Sequence, residues 1–271
     1  IRPSGGHFGD VDGIPLTASL VDQQAALYGH GRHAPGQAKF TFGTGGFALV
    51  STGTAIVDAQ DAGLLPTAAW QIGAAPVHYA LDGGIYSAGA AVDWAQRIGM
   101  LRSVDELNRF DAEPAIARRL VFVPALTGLA CPHWDRSAGA SWIGMTPATT
   151  REDLLQALLE GVALRAGEVV DAIDEHVAID GALSIDGGLT NSPYFCQFLC
   201  DILQRKVRVP SFNELTALGA ARLAARGAGL DEGGAGELSH VDYGVQRSAD
   251  VVRAWRSIFA QAVARSRAHH V

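Results

Sequence analysis

The sequence predicts an α/β fold, a mixed sheet flanked by helices. Three observations predict it. Ala38 to Phe42 and Phe47 to Ser51 alternate, are rich in β-formers and flank Gly43-Thr44-Gly45-Gly46, which reads as a β-hairpin. Leu183-Ser184-Ile185 is a short apolar strand that ends in Asp186-Gly187-Gly188 and leads to a helix from Pro193 to Leu203. Between these lies a long helical pattern, Leu154 to Glu175, with apolar or small residues at 155, 158, 162, 166, 169 and 173, the three-and-four spacing of a buried stripe.

The remaining elements follow in order. Residues 1–20 are loop-rich, with a short strand at Ile14-Pro15-Leu16 that leads to Asp22. A helix from Gln23 to Gly29 opens directly after that acid, where Asp is favoured both as a cap and by the helix dipole. Ala68 to Ile72 and Pro76 to Leu81 read as strands, and Ser87 to Ile98 as a helix whose start at Ser87-Ala88-Gly89 is placed to face phosphate or to pack tightly. Residues 102–120 are polar and charged, a solvated helix interrupted at Pro114. Leu120 to Leu126 is a buried strand that runs into a loop, residues 127–145, carrying Pro132-His133-Trp134-Asp135. Its lone His133 reads as structural. Thr150 with Asp153 forms a capping-box start for the long helix, and Pro193 suits a first helical turn because it has no N–H to leave unpaired. Residues 206–210 form a strand, Asn213 to Ala221 opens a helix, 227–236 is a glycine-rich break, and 251–267 is a helix with Val252, Trp255, Ile258, Phe259 and Ala262 on one face. His269-His270 is too short to read as a tag.

Composition narrows the function classes. The 271 residues are 48% hydrophobic and 18% charged, an ordinary globular balance with material for a core. A net charge of −7 argues against a nucleic-acid surface. Three cysteines do not make a disulfide framework, and Cys196 with Cys200 lacks the partners of a zinc site, so both read as small buried hydrophobes. No run has the length of a membrane span and no signal peptide opens the sequence, which predicts a cytoplasmic chain.

The chemistry is concentrated between Val21 and Gly53. Asp22 stands beside Gln23 and Gln24, and the glycine-rich turn at 43–46 follows about twenty residues later. An acid can take a proton from a hydroxyl, and a turn of backbone N–H groups can hold the phosphate which that hydroxyl attacks. Glycines at 43, 45 and 46 are expected to take positive φ and approach a ligand. Gly187-Gly188 at a strand end offers a second bare-backbone surface, beyond the carboxyl end of a strand.

VDQQAALYG (21–29) followed by KFTFGTGGFALVSTG (39–53) resembles the FGGY carbohydrate kinase family, and within it the glycerol kinases; YALDGGIYSAGAAVDWAQRIG (79–99) and the E-x-T-A-L-G-A-A run from Glu214 extend the likeness. The resemblance implies an actin-like, ribonuclease H-like lobe and ATP with magnesium as cofactors. It implies Asp22 as the catalytic base and Gln23 and Phe47, with Asp22, as polyol contacts. It assigns the nucleotide to Gly43, Thr44, Gly45, Gly89, Gly188 and one of Asn191 and Ser192, and it assigns no metal ligand in this chain. Asp93 departs from the family, where Gln is frequent.

The likeness covers almost all of this chain but about the second half of a family member, and the D-x-G-T phosphate motif is absent from these residues. The expected organisation is residues 1–29 as the end of an N-terminal lobe carrying the acid, and 30–271 as the C-terminal, nucleotide-binding lobe. The expected partners are a polyol and the other lobe of the same enzyme, with homo-oligomerisation left open; the isolated chain is expected to be inactive. The expected reaction is phosphorylation of glycerol to glycerol 3-phosphate. The alternatives are a kinase for another polyol or sugar, such as erythritol or xylulose, and a non-catalytic actin-like nucleotide-binding module.

Overall fold

The computed structural model describes residues 2–231 and 238–268. In chain order its strands are β1 (Asp10–Val11), β2 (Ile14–Pro15), β3 (Ala38–Phe42), β4 (Gly46–Gly53), β5 (Leu65–Trp70), β6 (His78–Ile85), β7 (Val121–Val123), β8 (Ser141–Ile143), β9 (Leu183–Gly187), β10 (Val207–Pro210) and β11 (His240–Tyr243). Its helices are α1 (Asp22–Gly29), α2 (Gly89–Arg97), α3 (Arg151–Asp174), α4 (Pro193–Leu203), α5 (Leu215–Gly227) and α6 (Ala249–Ala268). A seven-stranded sheet runs in the order β11-β10-β9-β3-β4-β6-β5. The hairpin half, β3-β4-β6-β5, is antiparallel; β3, β9 and β10 are parallel neighbours, and β11 closes the edge antiparallel. This is the mixed sheet the sequence predicts.

The side-chain period of two divides the sheet into unlike faces. Ala38, Phe40 and Phe42 of β3 share a face with Ala48 and Val50 of β4 and Leu183 and Ile185 of β9, and all are buried in the main core with α3 and α4. The alternate residues, Lys39, Thr41, Ser184 and Asp186, stand level with one another on the opposite face. Part of that second face is covered by α1 and α5 through a smaller apolar cluster of Leu27, Tyr28, Leu49, Ala80 and Leu223. The two helices touch backbone to backbone: a Cβ on Gly219 would stand 1.8 Å from the Ala25 carbonyl oxygen, and one on Gly29 would stand 2.0 Å from that of Leu215.

Helix α3 begins with the predicted capping box, the Thr150 hydroxyl accepting from the Asp153 N–H and the Asp153 carboxylate accepting from the Thr150 N–H. It is buried on nearly every side, not only along the predicted stripe, because the sheet, α4 and β7 all pack on it. Gly83 on β6 makes room: a Cβ there would stand 2.9 Å from a Val169 methyl. On α6, Val252, Trp255, Phe259 and Ala262 are buried as expected. Cys131, Cys196 and Cys200 are free and buried.

Several expectations need correction. The polar helix over 102–120 does not form. Two short 3₁₀ turns, Val104–Leu107 and Ala115–Arg118, stand in its place, and Leu107, Ala115 and Ile116 are buried. Pro114 cannot continue a helix. The next two N–H groups are instead satisfied from α3, where the Glu160 carboxylate accepts from Ala115 at 2.8 Å and Ile116 at 2.9 Å. Strand β5 starts earlier than expected and β6 extends through Asp82-Gly83-Gly84-Ile85. Residues ahead of α1 are tied into this body, Gly5 N–H donating to Gln71 and the Thr17 hydroxyl to the Ala224 carbonyl at 2.7 Å. Residues 232–236 of the glycine-rich break, and His269-His270, lie outside the described residues. No described helix is long and apolar enough to cross a membrane.

Candidate active site

Strands β3 and β9 run parallel and end level, with Phe42 opposite Gly187. Their carboxyl ends therefore release two turns side by side: Gly43-Thr44 from one, and a 3₁₀ turn, Gly188–Asn191, from the other. Ligands in α/β sheets sit beyond strand carboxyl ends for this reason. Here a cavity of about 590 Å³ opens, within the range of cofactor sites. Gly43, Thr44, Gly89, Gly188, Asn191 and Ser192, read from three separate stretches of sequence, all line it. Gly45 lies instead on a neighbouring cavity of about 360 Å³, with Phe47 and Asp82. Thr44 belongs to both, so the glycine turn is the partition between them.

Gly45 and Gly46 are required for space rather than for the positive φ the sequence suggests. None of Gly43, Gly45 and Gly46 is left-handed. A Cβ on Gly45 would stand 2.7 Å from the Ile85 carbonyl oxygen, and one on Gly46 would stand 2.7 Å from the Phe40 ring. A Cβ on Gly188 would meet nothing within 4 Å, so that residue borders open cavity.

Of the two tasks its sequence suggests, the start of α2 is used for tight packing. The N–H groups of Ala88, Gly89 and Ala90 donate to the carbonyls of Thr44, Gly43 and Thr44 at 3.0, 2.8 and 2.9 Å. These amides clamp the turn instead of pointing at a free anion. Gly89 is glycine because a Cβ there would stand 2.6 Å from the Gly43 carbonyl oxygen. Asp93, one turn further on, also lines the cavity.

Asn191 and Ser192 also separate. Ser192 caps α4: its hydroxyl accepts from the Phe195 N–H at 3.1 Å and donates to the Leu107 carbonyl at 2.5 Å. It is buried, while Asn191 is exposed. Ser192 thereby secures the 104–108 segment, whose Val104, Leu107 and Asn108 form a cavity wall. The sequence reading missed this wall, although Val104 and Leu107 interrupt its polar run.

The acid lies at the other end of the site. Asp22 is the first residue of α1; Val21 holds the cap position, and no side chain caps the helix. Asp22 is exposed, and its Oδ1 accepts from the Gln23 N–H at 2.8 Å. The Gln23 side chain reaches down to the sheet, where its Oε1 accepts from Lys39 Nζ. Lys39 Nζ also donates to Thr41 Oγ1 at 2.9 Å and faces the Phe47 carbonyl at 3.4 Å. The Phe47 ring itself is 41% exposed, high for a phenylalanine inside a sheet.

Lys39 is fully buried, and burial lowers its ammonium to about 8 against the pull of Asp186, Asp82 and Asp22. Asp186 answers it from β9. Burial alone would raise the Asp186 carboxyl, but His30, Thr41 and Lys39 outweigh this and hold it below its ordinary value. His30 Nε2 lies 3.4 Å from Asp186 Oδ1 while its Nδ1 meets the Ser184 hydroxyl at 2.7 Å. Burial pushes the Asp82 carboxyl up to about 6, with Lys39 opposing. None of this network was singled out from sequence. The signal was the polar pair Lys39 and Thr41 at alternate positions of an otherwise apolar strand.

Among the described residues no three His, Cys, Asp or Glu side chains converge on a metal position. His133 sits apart from the two cavities, 3.4 Å from Glu168, and burial beside Arg165 and Arg267 lowers its imidazole to about 4.

Comparisons with known proteins identify the family of this fold. Residues 38–228 match the C-terminal domain of the FGGY family of carbohydrate kinases. The chain is 37% identical over 235 residues to a glycerol kinase of Haloarcula marismortui, covering 83% of this chain and 46% of that one. It is 41% identical over 236 residues to a glycerol kinase of Thermus brockianus, covering 84% and 47%. The crystal structure of Plasmodium falciparum glycerol kinase with ADP superposes with a TM-score of 0.86 at 30% identity, over 98% of this chain and 55% of that chain. The chain spans about half the length of the relatives it matches. With its two strand-end turns, its polar sheet face and this match over most of its length, the chain belongs to the FGGY family of carbohydrate kinases, in the C-terminal domain of the actin-like fold.

Proposed function

We propose that this chain is the nucleotide-binding lobe of an ATP-dependent polyol kinase that converts glycerol to glycerol 3-phosphate. The observation that carries the reading is the convergence of Gly43-Thr44, Gly89 and Gly188–Asn191 on one cavity, with Asp22 and Gln23 held over the same sheet. The nucleotide lies in the larger cavity. Gly188 passes it without contact from a side chain, Asn191 offers it an amide, and Val104 and Leu107 of the 104–108 wall cover its base. The glycine turn, fixed from behind by α2, presents Thr44 to the transferring phosphoryl group. A turn that does not reorganise during reaction stabilises developing charge better than a mobile one.

Asp22 takes the proton of the attacking hydroxyl, with one carboxylate oxygen kept in place by the Gln23 N–H. Gln23 and Phe47 contact the polyol. Magnesium, when it accompanies ATP, neutralises phosphate charge. Among the described residues no three His, Cys, Asp or Glu side chains are placed to hold it; magnesium in phosphoryl-transfer sites is commonly bound through substrate phosphates with one or two carboxylates. Residues 1–29 bring the acid to the boundary with a second lobe, and closure of two lobes excludes water from the transfer.

The test is a coupled ADP-release assay on the full-length protein with ATP and magnesium, using glycerol, erythritol and xylulose. Glycerol is expected to give the highest kcat/KM. A preference for xylulose would overturn the substrate assignment, and ATP binding without phosphorylation of any of the three would overturn the catalytic reading.

A further inference from the structure

We propose that Lys39 is a positioning residue for the substrate amide: its buried ammonium fixes Gln23 with the carboxamide NH₂ turned toward the polyol, so that Gln23 reads a hydroxyl oxygen as a hydrogen-bond donor. This deepens the polyol-kinase reading and rests on it.

The argument begins with donor and acceptor inventory. An ammonium has three N–H donors and no acceptor. Lys39 Nζ has three oxygen partners within the protein: Gln23 Oε1, Thr41 Oγ1 and the Phe47 carbonyl. Only the oxygen end of Gln23 can face such a group, so the amide orientation follows from chemistry. Among the described residues nothing accepts from Gln23 Nε2, and Gln23 is half-buried at the rim of the polar face, next to exposed Asp22. Its NH₂ is therefore the end left for a ligand.

The same ammonium ties together the parts of the polyol side. Through Phe47 it holds the backbone of the residue whose ring stands 41% exposed on the smaller cavity. Through Thr41 it joins β9, because Thr41 is level with Asp186. The titratable groups facing it come from three elements, Asp22 of α1, Asp186 of β9 and Asp82 of β6, with His30, the residue after α1, behind Asp186. A fully buried lysine in the middle of a sheet is costly unless paired. Carboxylates on both flanking sides make the ammonium tenable here, and its direction is spent on Gln23.

The experiment measures KM for glycerol and for ATP in the full-length protein, with a thermal melt for each variant. Lys39→Met removes donor and charge; polyol KM is expected to rise at least tenfold and ATP KM to stay within twofold. Lys39→Gln returns an N–H donor without charge and is expected to recover part of the loss. Should Lys39→Met melt early, Gln23→Glu decides. It keeps an acceptor for Lys39, so the melt is retained, but it replaces the NH₂ with oxygen, and polyol KM is expected to rise at least fivefold. Unchanged polyol KM in Lys39→Met or in Gln23→Glu, or parallel loss for ATP and polyol, overturns the assignment while the functional reading stands. A wild-type protein that phosphorylates no polyol overturns both.

Discussion

Gly188→Val separates the nucleotide surface from the fold. A Cβ at Gly188 would meet nothing within 4 Å, and the residue is not left-handed, so the backbone accepts a side chain without strain. The valine methyls would project into the cavity of about 590 Å³ that Gly188 shares with Asn191 and Gly43. Forcing extra carbon into a filled site costs about 1–3 kcal/mol. Here that cost falls on the bound state alone, which corresponds to a roughly 5- to 150-fold weaker affinity for ATP. The control is Gly89→Val: its Cβ would stand 2.6 Å from the Gly43 carbonyl oxygen, so it must move the turn or α2. Isothermal titration with ATP and magnesium, beside thermal melts, is expected to show Gly188→Val melting with the wild type but binding weakly, and Gly89→Val melting earlier. Normal ATP affinity with an early melt in Gly188→Val would refute the reasoning, because Gly188 would then be a structural turn facing protein.

Three further outcomes follow from the same geometry. Asp22→Asn in the full-length protein is expected to lose about 10²–10⁴-fold in kcat with ATP affinity retained; near-normal turnover would reduce Asp22 to a helix-end residue. Gly219→Ala places a Cβ 1.8 Å from the Ala25 carbonyl oxygen and is expected to cost about 1–3 kcal/mol by separating α1 from α5, read as a lower Tm. Asp82 holds a carboxyl raised to about 6 when folded against 3.8 when unfolded. Between those values the folded chain binds more protons, so stability falls as pH rises from about 4 to about 6. The ceiling is about 3 kcal/mol, and solvent in the adjoining cavity screens it to about 1–2. Asp82→Asn is expected to remove that fall in a series of melts against pH, and a slope that persists would place its origin elsewhere.

Much of this was legible in the sequence because the decisive contacts are local. The capping box at Thr150 and Asp153, the Pro193 helix start and the hairpin around 43–46 each depend on a few adjacent residues, and each is found where the sequence places it. What escaped depends on partners far along the chain. The 102–120 segment has a polar composition, yet Glu160 on α3 and Ser192 ahead of α4 supply the hydrogen bonds that pin it as turns. Gly89 carries the right residue type for a phosphate contact, but its amide is spent on Gly43, 46 positions earlier (89 − 43). The sequence reading gives Lys39 no role because the covering helix, with Gln23, and the opposing acid, Asp186, come from other stretches.

Register makes core and site one constraint. In β3 the odd positions, Lys39 and Thr41, serve the polar face, and the even ones, Phe40 and Phe42, serve the core. A slip by one residue reverses every assignment. It would put Lys39 into the apolar core against α3 and α4, away from Asp186 and Asp82, and would turn Phe40 and Phe42 toward Gln23. The native register is held from the core side by large rings: Phe40 stacks on Phe42 at 4.4 Å, and Phe42 meets Phe195 of α4 edge-on at 4.9 Å. Phe42 also borders the larger cavity itself. Its packing sets Phe42 level with Gly187, and so decides that Gly43-Thr44 and Gly188 emerge together. Aromatic packing beneath the sheet thus fixes the spacing of the nucleotide turns above its edge. A substitution such as Phe42→Ala therefore acts on both, through the core it empties and through the turn it leaves unanchored.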